Sequence, residues 1–296
     1  ILNSARFLEK SGFAVTYLSV DKTGLIDPAV VEKAITKETI LISVIHASPE
    51  IGTIEPIAKI GEIAQKKGIL FHTDAVASAG NIPVDVRNLN VNLLTLAAHQ
   101  FYGPKGAAAL FLKSGTRIIP LIYGGIQEGG RRAGTENVPA IVGMGKAAEL
   151  AEKNLQNRIN HIKPLRDKLI NSALKIDKVS LTGHPEQRLP GHASFVVEYI
   201  EGEAMLLLLA SKGIYAASGS ACSSKALKSS PVLLSIGVPV HIAQGSVVFT
   251  LGENTAEKEI DYLNEVFPQV INQLRAISPY SKGWGDMEDP TCIAKK

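Results

Sequence analysis

The sequence predicts an α/β protein: a large domain built on a mostly parallel sheet with helices on both faces, followed by a smaller α+β domain. Three observations carry this prediction. Through about residue 155, short apolar runs alternate with helical patterns. The runs, such as Ile40-Leu41-Ile42-Ser43-Val44-Ile45, are nearly unbroken, as in parallel strands buried on both faces. Beyond about residue 158 strands and helices recur without that regular alternation.

The elements follow in order. Ile1-Leu2-Asn3-Ser4 opens inside an amphipathic pattern, with no initiator Met, so the start reads as cut. Val15 to Val20 reads as a strand. Asp27-Pro28 opens a helix through Ile35, with Asp as N-cap and Pro in the first helical position. A strand over 40–45 is followed by a helix over 56–67 ending at Gly68, then by strands at 69–73 and 91–97. Residues 107–137 are loop-rich, punctuated by Gly124-Gly125, Gly129-Gly130 and Gly134. Helical periodicity then runs from about 139 to 175. The second domain shows strands at 193–198 and 246–251 and helices at 203–212 and 256–275. The reading is therefore 1–157 for the large domain and 158–296 for the small one. The tail 278–296, with the only tryptophan (Trp284), lacks periodicity and is expected to be loosely held.

Composition narrows the function. The chain has 296 residues, 31 Lys plus Arg against 28 Asp plus Glu, and a net charge of +3. That balance gives no argument for nucleic acid or an anionic membrane. At 45% apolar and 20% charged residues the chain is globular, not disordered. No apolar run approaches the ~20 residues of a membrane helix, and no signal peptide is visible. Two cysteines, Cys222 and Cys292, provide neither a disulfide framework nor a cysteine zinc site, which suits a reducing, cytoplasmic setting. No metal site is expected.

Three strands end in polar residues: 40–45 in His46, 69–73 in Asp74, and 91–97 in His99-Gln100. Ligands of open α/β sheets bind outside the carboxyl ends of strands, so these endings point to one crevice. Histidines there also serve as packing or capping groups. Cys222 lies in Ala217-Ser218-Gly219-Ser220-Ala221-Cys222-Ser223-Ser224, whose small residues predict an accessible loop. Lys225 and Lys228 nearby would lower the thiol pKa, and a reactive thiol is favoured over a small buried hydrophobe. Cys292 reads as incidental. The stretch Gly124 to Thr135, with Arg131 and Arg132, suits either a phosphate or carboxylate or a structural crossover.

Together these pieces resemble the cysteine desulfurases of the NifS/IscS type, in the class V aminotransferase group. The matching stretches are Ile51-Gly52-Thr53-Ile54-Glu55-Pro56-Ile57, His72-Thr73-Asp74-Ala75, His99-Gln100-Phe101-Tyr102-Gly103-Pro104-Lys105-Gly106, Arg132-Ala133-Gly134-Thr135-Glu136-Asn137 and Ser218-Gly219-Ser220-Ala221-Cys222. The resemblance implies the pyridoxal phosphate (PLP) fold type I, a homodimer, and sulfur transfer from cysteine to a loop cysteine, then to an acceptor or iron–sulfur scaffold protein. It implies that Asp74 holds the pyridine nitrogen, that His46 and His99 line the site, that Thr135 reaches the neighbouring subunit's phosphate, and that Cys222 carries the persulfide.

The departures cluster in the cofactor pocket. Gln100 stands where the family has its Schiff-base lysine, and an amide nitrogen cannot condense with an aldehyde. Lys105 matches a separate lysine of the Gly-Pro-Lys-Gly turn. Ser48-Pro49 replaces Asn-Asn, Ala77 a Gln, Ala97 a phosphate-binding Ser, and Val248 the Arg that clamps the substrate carboxylate. The family's N-terminal third is absent, so a partner segment could complete the domain. The favoured reading is a desulfurase-like protein of sulfur mobilisation and iron–sulfur assembly without covalent PLP or ordinary turnover, keeping the Cys222 loop. The alternatives are an active PLP-dependent desulfurase completed by a missing segment, and a non-catalytic structural subunit with no cofactor.

Overall fold

The computed structural model describes residues 1–219 and 229–278. They form two compact units: Ile1–Ser48 with Thr53–Gln156, and Pro49–Gly52 with the described residues from Asn157 onward.

The first unit opens with α1 (Leu2–Lys10), α2 (Pro28–Ala34), β1 (Leu41–Ile45), α3 (Ile57–Lys67), β2 (Leu70–Asp74) and β3 (Leu93–Ala97). It continues through β4 (Ala108–Leu112), the short turn α4 (Gln127–Gly130) and the start of α5 (Val138–Ala173). Local chemistry sets the boundaries. The Asp27 carboxylate accepts from Ala29 N–H at the start of α2, with Pro28 beside it. Gly68, at φ +69°, ends α3 in the left-handed region.

The sheet runs in the order β1-β2-β3-β4. β1, β2 and β3 are parallel, with Ile45 opposite Asp74 and Asp74 opposite Thr95. β4 is antiparallel to β3, with Ala97 opposite Ala108. On one face Ile42, Phe71 and Leu94 pack against Ile57, Ile60 and Ala64 of α3. Two expectations need correction. The Val15–Val20 segment is not in a ladder; Leu18 and Val20 reach the core without a strand partner, which β-rich composition alone cannot supply. The first strand is not buried on both faces either: β1 buries Ile42 and exposes Leu41 and Ser43, as an edge strand does.

The second unit contains the end of α5, β5 (Val179–Leu181), β6 (His192–Val197), α6 (Gly202–Ser211), α7 (Pro231–Ser235), α8 (Val240–Ala243), β7 (Ser246–Thr250) and α9 (Glu257–Ile277). Its sheet is antiparallel in the order β5-β6-β7. Every residue of β6 is buried. Phe195 of β6, Phe249 of β7 and Phe267 of α9 form an aromatic centre, the last two edge-to-face at 5.4 Å. Leu169, Met205 and Leu209 complete it. An antiparallel sheet packed against α6 and α9 is the α+β arrangement expected.

Candidate functional site

Because β1, β2 and β3 are parallel, their carboxyl ends lie along one edge of the sheet. His46 follows β1, Asp74 ends β2, and His99 and Gln100 follow β3. The backbone knits these ends together. His46 N–H donates to the Asp74 carbonyl at 2.9 Å, and Ala75 N–H donates to the Thr95 carbonyl at 2.9 Å. The structure thus brings together the three endings that the sequence singles out.

His46 is buried, and burial lowers its pKa to about 4, so the ring is neutral near pH 7. Its Nδ1 lies 3.0 Å from Ser78 Oγ, and Ser78 donates to the Ala75 carbonyl at 3.2 Å. A hydroxyl has one hydrogen. Given to Ala75, it leaves Oγ to accept from His46 Nδ1–H; given to His46 Nδ1, it leaves the ring proton on Nε2. Ser78 is wholly buried and was not anticipated from sequence; its only signal is its place four residues after Asp74. The Asp74 carboxylate accepts from Val76 N–H at 3.0 Å. His72, in the same strand, spans Ser43 Oγ and Thr95 Oγ1 at 2.8 Å each. Burial holds its pKa low, with the Asp74 carboxylate opposing.

His99 and Gln100 are exposed on a single 3₁₀ turn, Ala98–Phe101, whose flanking Ala98 and Phe101 are buried. Ala77 and Ala97 are buried and present only methyl groups. Thr135 is exposed, directly after Gly134 at φ +106°. In the second unit Val248 is buried in β7, and its backbone exchanges hydrogen bonds with Ala217. Cys222, Lys225, Lys228 and Cys292 lie outside the described residues.

The second unit holds a feature that sequence reasoning missed. Pro49-Glu50-Ile51-Gly52 is gripped along its backbone. His192 Nε2 lies 3.0 Å from the Pro49 carbonyl, Arg188 Nη2 donates to the Ile51 carbonyl at 2.8 Å, and Leu189 N–H donates to the Gly52 carbonyl at 2.9 Å. Arg188 Nη2 also donates to the Thr182 carbonyl. Gly52 adopts φ +77°, and a Cβ there would stand 2.6 Å from His192 Nδ1. Burial, assisted by the Arg188 charge, lowers the His192 pKa to about 4. Ser230 Oγ donates to Glu50 Oε1. Burial raises the Glu50 pKa to about 7, against the pull of that hydrogen bond. The sequence signal was a lone carboxylate among small and apolar residues, which the motif match passed over.

PLP held as the resemblance implies needs an amine for its aldehyde, a carboxylate for its pyridine nitrogen, and donors for its phenolic oxygen and phosphate. The Asp74 carboxylate is available. Position 100 offers an exposed amide, and Ala77 and Ala97 offer no donor. This donor set does not fit a covalently held coenzyme.

Comparison with known proteins places these features in context. The aminotransferase class-V family profile matches residues 1–263. The chain is 50% identical over 279 residues to a protein named cysteine desulfurase IscS from Methanosarcina thermophila, covering 94% of this chain and 69% of that one. It is 49% identical over 285 residues to one of the same name from Dictyoglomus turgidum, covering 96% and 72%. Among solved structures, a NifS-like protein superimposes with a TM-score of 0.85 at 34% identity, covering 92% of this chain and 72% of that one.

Proposed function

The chain belongs to the class-V aminotransferase family, within its cysteine desulfurase group, and from that premise we propose that it is a sulfur carrier on a PLP fold type I scaffold rather than an ordinary desulfurase. The observation that carries this reading is a contrast. The cofactor positions are rewritten at Gln100, Ala77, Ala97 and Pro49, whereas Ser218-Gly219-Ser220-Ala221-Cys222 keeps the family's loop motif. Lost contacts at one ligand add up. Two or three charge-assisted hydrogen bonds, worth about 1.5–3 kcal/mol each, correspond to roughly a thousandfold or more in affinity. The covalent anchor is missing besides.

The chemistry left to the chain is thiol exchange at Cys222. The thiolate attacks the outer sulfur of a persulfide donor, a new Sγ–S bond forms, the donor's S–S bond breaks, and the donor leaves as a thiolate that takes up a proton. No net oxidant is needed. Sulfur then passes to an acceptor thiol by the same step; an iron–sulfur scaffold protein is the acceptor class the family relationship suggests. A second copy of the chain is a further proposed partner. Its support is the exposure of Ile119, Leu121, Ile122, Tyr123 and Ile126 in the stretch leading to Thr135.

The test uses glutathione persulfide as donor and mass mapping of the Cys222 peptide. One added sulfur on the parent, absent in Cys222→Ala, is the expected result; no added sulfur on the parent overturns the carrier reading. Alanine and sulfide released from free cysteine with added PLP would overturn the loss of turnover.

A further inference from the structure

Arg188 is a buried guanidinium whose hydrogen bonds reach no carboxylate. It is 3% exposed and lies between β5 and β6 in the second unit. Its Nη2 donates to two carbonyls, of Ile51 at 2.8 Å and of Thr182. Its Nε and Nη1 are buried and have no hydrogen-bond partner among the described residues. Burial and the Arg166 charge lower its pKa only to about 10, so the group stays charged near pH 7. Buried donors left unmet and a buried charge left unpaired are both costly.

The charges nearby enlarge the imbalance. Arg166 of α5 is 2% exposed and acts on Arg188 as a like charge. Its Nε donates to the Asp167 carboxylate at 2.7 Å and its Nη1 to the Leu189 carbonyl at 3.1 Å. Asp167 is also the carboxylate that acts on Arg188, and Lys163 holds it as well, at 2.8 Å. Arg188, Arg166 and Lys163 thus share a carboxylate that is itself partly exposed. His192 offers no counter-charge. Its Nε2 faces the Pro49 carbonyl, which only accepts, so the ring proton sits on Nε2 and the neutral ring turns Nδ1 toward Gly52. A water molecule would accept from a guanidinium hydrogen and leave the net charge in place, whereas an anion meets both needs.

We propose that Arg188 holds a small inorganic monovalent anion, of the halide class, against Nη1 inside the second unit. Nε and Nη1 diverge from the guanidinium carbon, so a single ion takes one of them, and Nη1 has two hydrogens to give. A residue this enclosed suits a compact ion better than a polyatomic oxyanion. The ion and the backbone of Pro49–Gly52 then share one guanidinium, Nη2 gripping the Ile51 carbonyl while Nη1 holds the ion. Occupancy tightens that grip, and it makes no use of the sulfur chemistry proposed above.

The probe is chloride, compared with gluconate at equal ionic strength, because gluconate is too bulky for an enclosed site. Amide hydrogen exchange on the full chain is read at Leu189, whose N–H donates to the Gly52 carbonyl at 2.9 Å. At pH 7 the parent's Leu189 should exchange roughly fivefold more slowly in chloride than in gluconate, while amides of β3 in the first unit differ by less than about twofold. Arg188→Lys keeps the charge but has no Nη1, and should lose the chloride effect. Equal exchange in the two salts, a chloride effect of one size across both units, or a full chloride effect in Arg188→Lys would each overturn the proposal. Should Arg188→Lys fail to fold, bromide decides on the parent. Crystals soaked in bromide should show an anomalous peak in hydrogen-bonding contact with Arg188 Nη1; peaks at surface lysines alone, or no peak at Arg188, overturn the proposal.

Discussion

At the scale of single residues, the proposed loss of a covalent coenzyme turns on position 100. Gln100 sits exposed on a four-residue turn, so nothing in the packing prevents a longer amine there. The expected outcome is that PLP followed by borohydride leaves no adduct on the parent, whereas Gln100→Lys gains a trapped adduct at that position, located by mass mapping. A parental adduct at any other lysine would mean that the aldehyde has found a substitute. Affinity should stay weak in Gln100→Lys, because Ala77 and Ala97 still present methyl groups where a coenzyme needs donors. Gly52 supplies a second residue-scale test. Its φ of +77° and the 2.6 Å approach of His192 Nδ1 to a built Cβ predict that Gly52→Ala loses about 1–3 kcal/mol, read as a lower urea midpoint. These cases differ in legibility. Gln100 is visible in the sequence because one amide replaces one amine in a motif, whereas the clamp on Pro49–Gly52 joins residues about 140 positions apart and no local spacing announces it.

At the scale of elements, the sequence was most readable where local chemistry and the fold agree. Asp27-Pro28 and Gly68 mark real helix ends because capping acts within a few residues. It was least readable where pairing decides. Ala108 to Leu112 lies in the stretch read as loop-rich, yet forms β4 because β3 offers a full antiparallel partner from Leu93 to Ala97. Val15 to Val20 has strand composition but no partner, and forms no ladder. The helical periodicity from about 139 to 175, by contrast, matches α5 at Val138–Ala173, with Pro164 inside the helix. The aromatic centre of the second unit is the element-scale test. Phe267 of α9 is 1% exposed and packs on both Phe195 and Phe249. Phe267→Ala should cost about 3–5 kcal/mol by transfer and cavity terms together. Exchange protection in β6 and β7 should fall with it, while a surface change such as Lys258→Ala in the same helix should leave the urea midpoint within about 0.5 kcal/mol of the parent.

At the scale of the whole molecule, each unit holds a partly or fully buried carboxyl, half-buried Glu50 or buried Glu55, and a buried imidazole, with pH dependences that oppose. In the first unit Glu55 is raised to about 7, chiefly by burial against the pull of Ile26 N–H, while His46 is lowered to about 4. In the second, Glu50 is raised to about 7 and His192 is lowered to about 4. For the lowered histidines the unfolded chain binds the proton that the fold excludes, so stability rises with pH between about 4 and 6.5. His72 adds to this rise. For the raised glutamates the fold keeps a proton that the unfolded chain has lost. Their contribution is fully present below about 4.5 and is lost as pH rises toward 7. Between about 4.5 and 6.5 the two slopes act against each other, and the parent's urea midpoint should change little over that interval. Removing both carboxyls, as Glu50→Gln with Glu55→Gln, deletes the falling component and leaves the histidines alone. The double variant should then gain stability steadily from pH 4.5 to 6.5, and the difference from the parent should widen across that interval and level off above pH 7. Far-UV circular dichroism in urea at four pH values reads this directly. A double variant whose midpoint runs parallel to the parent's would show that the carboxyls titrate at their ordinary pKa, and that burial does not govern either site.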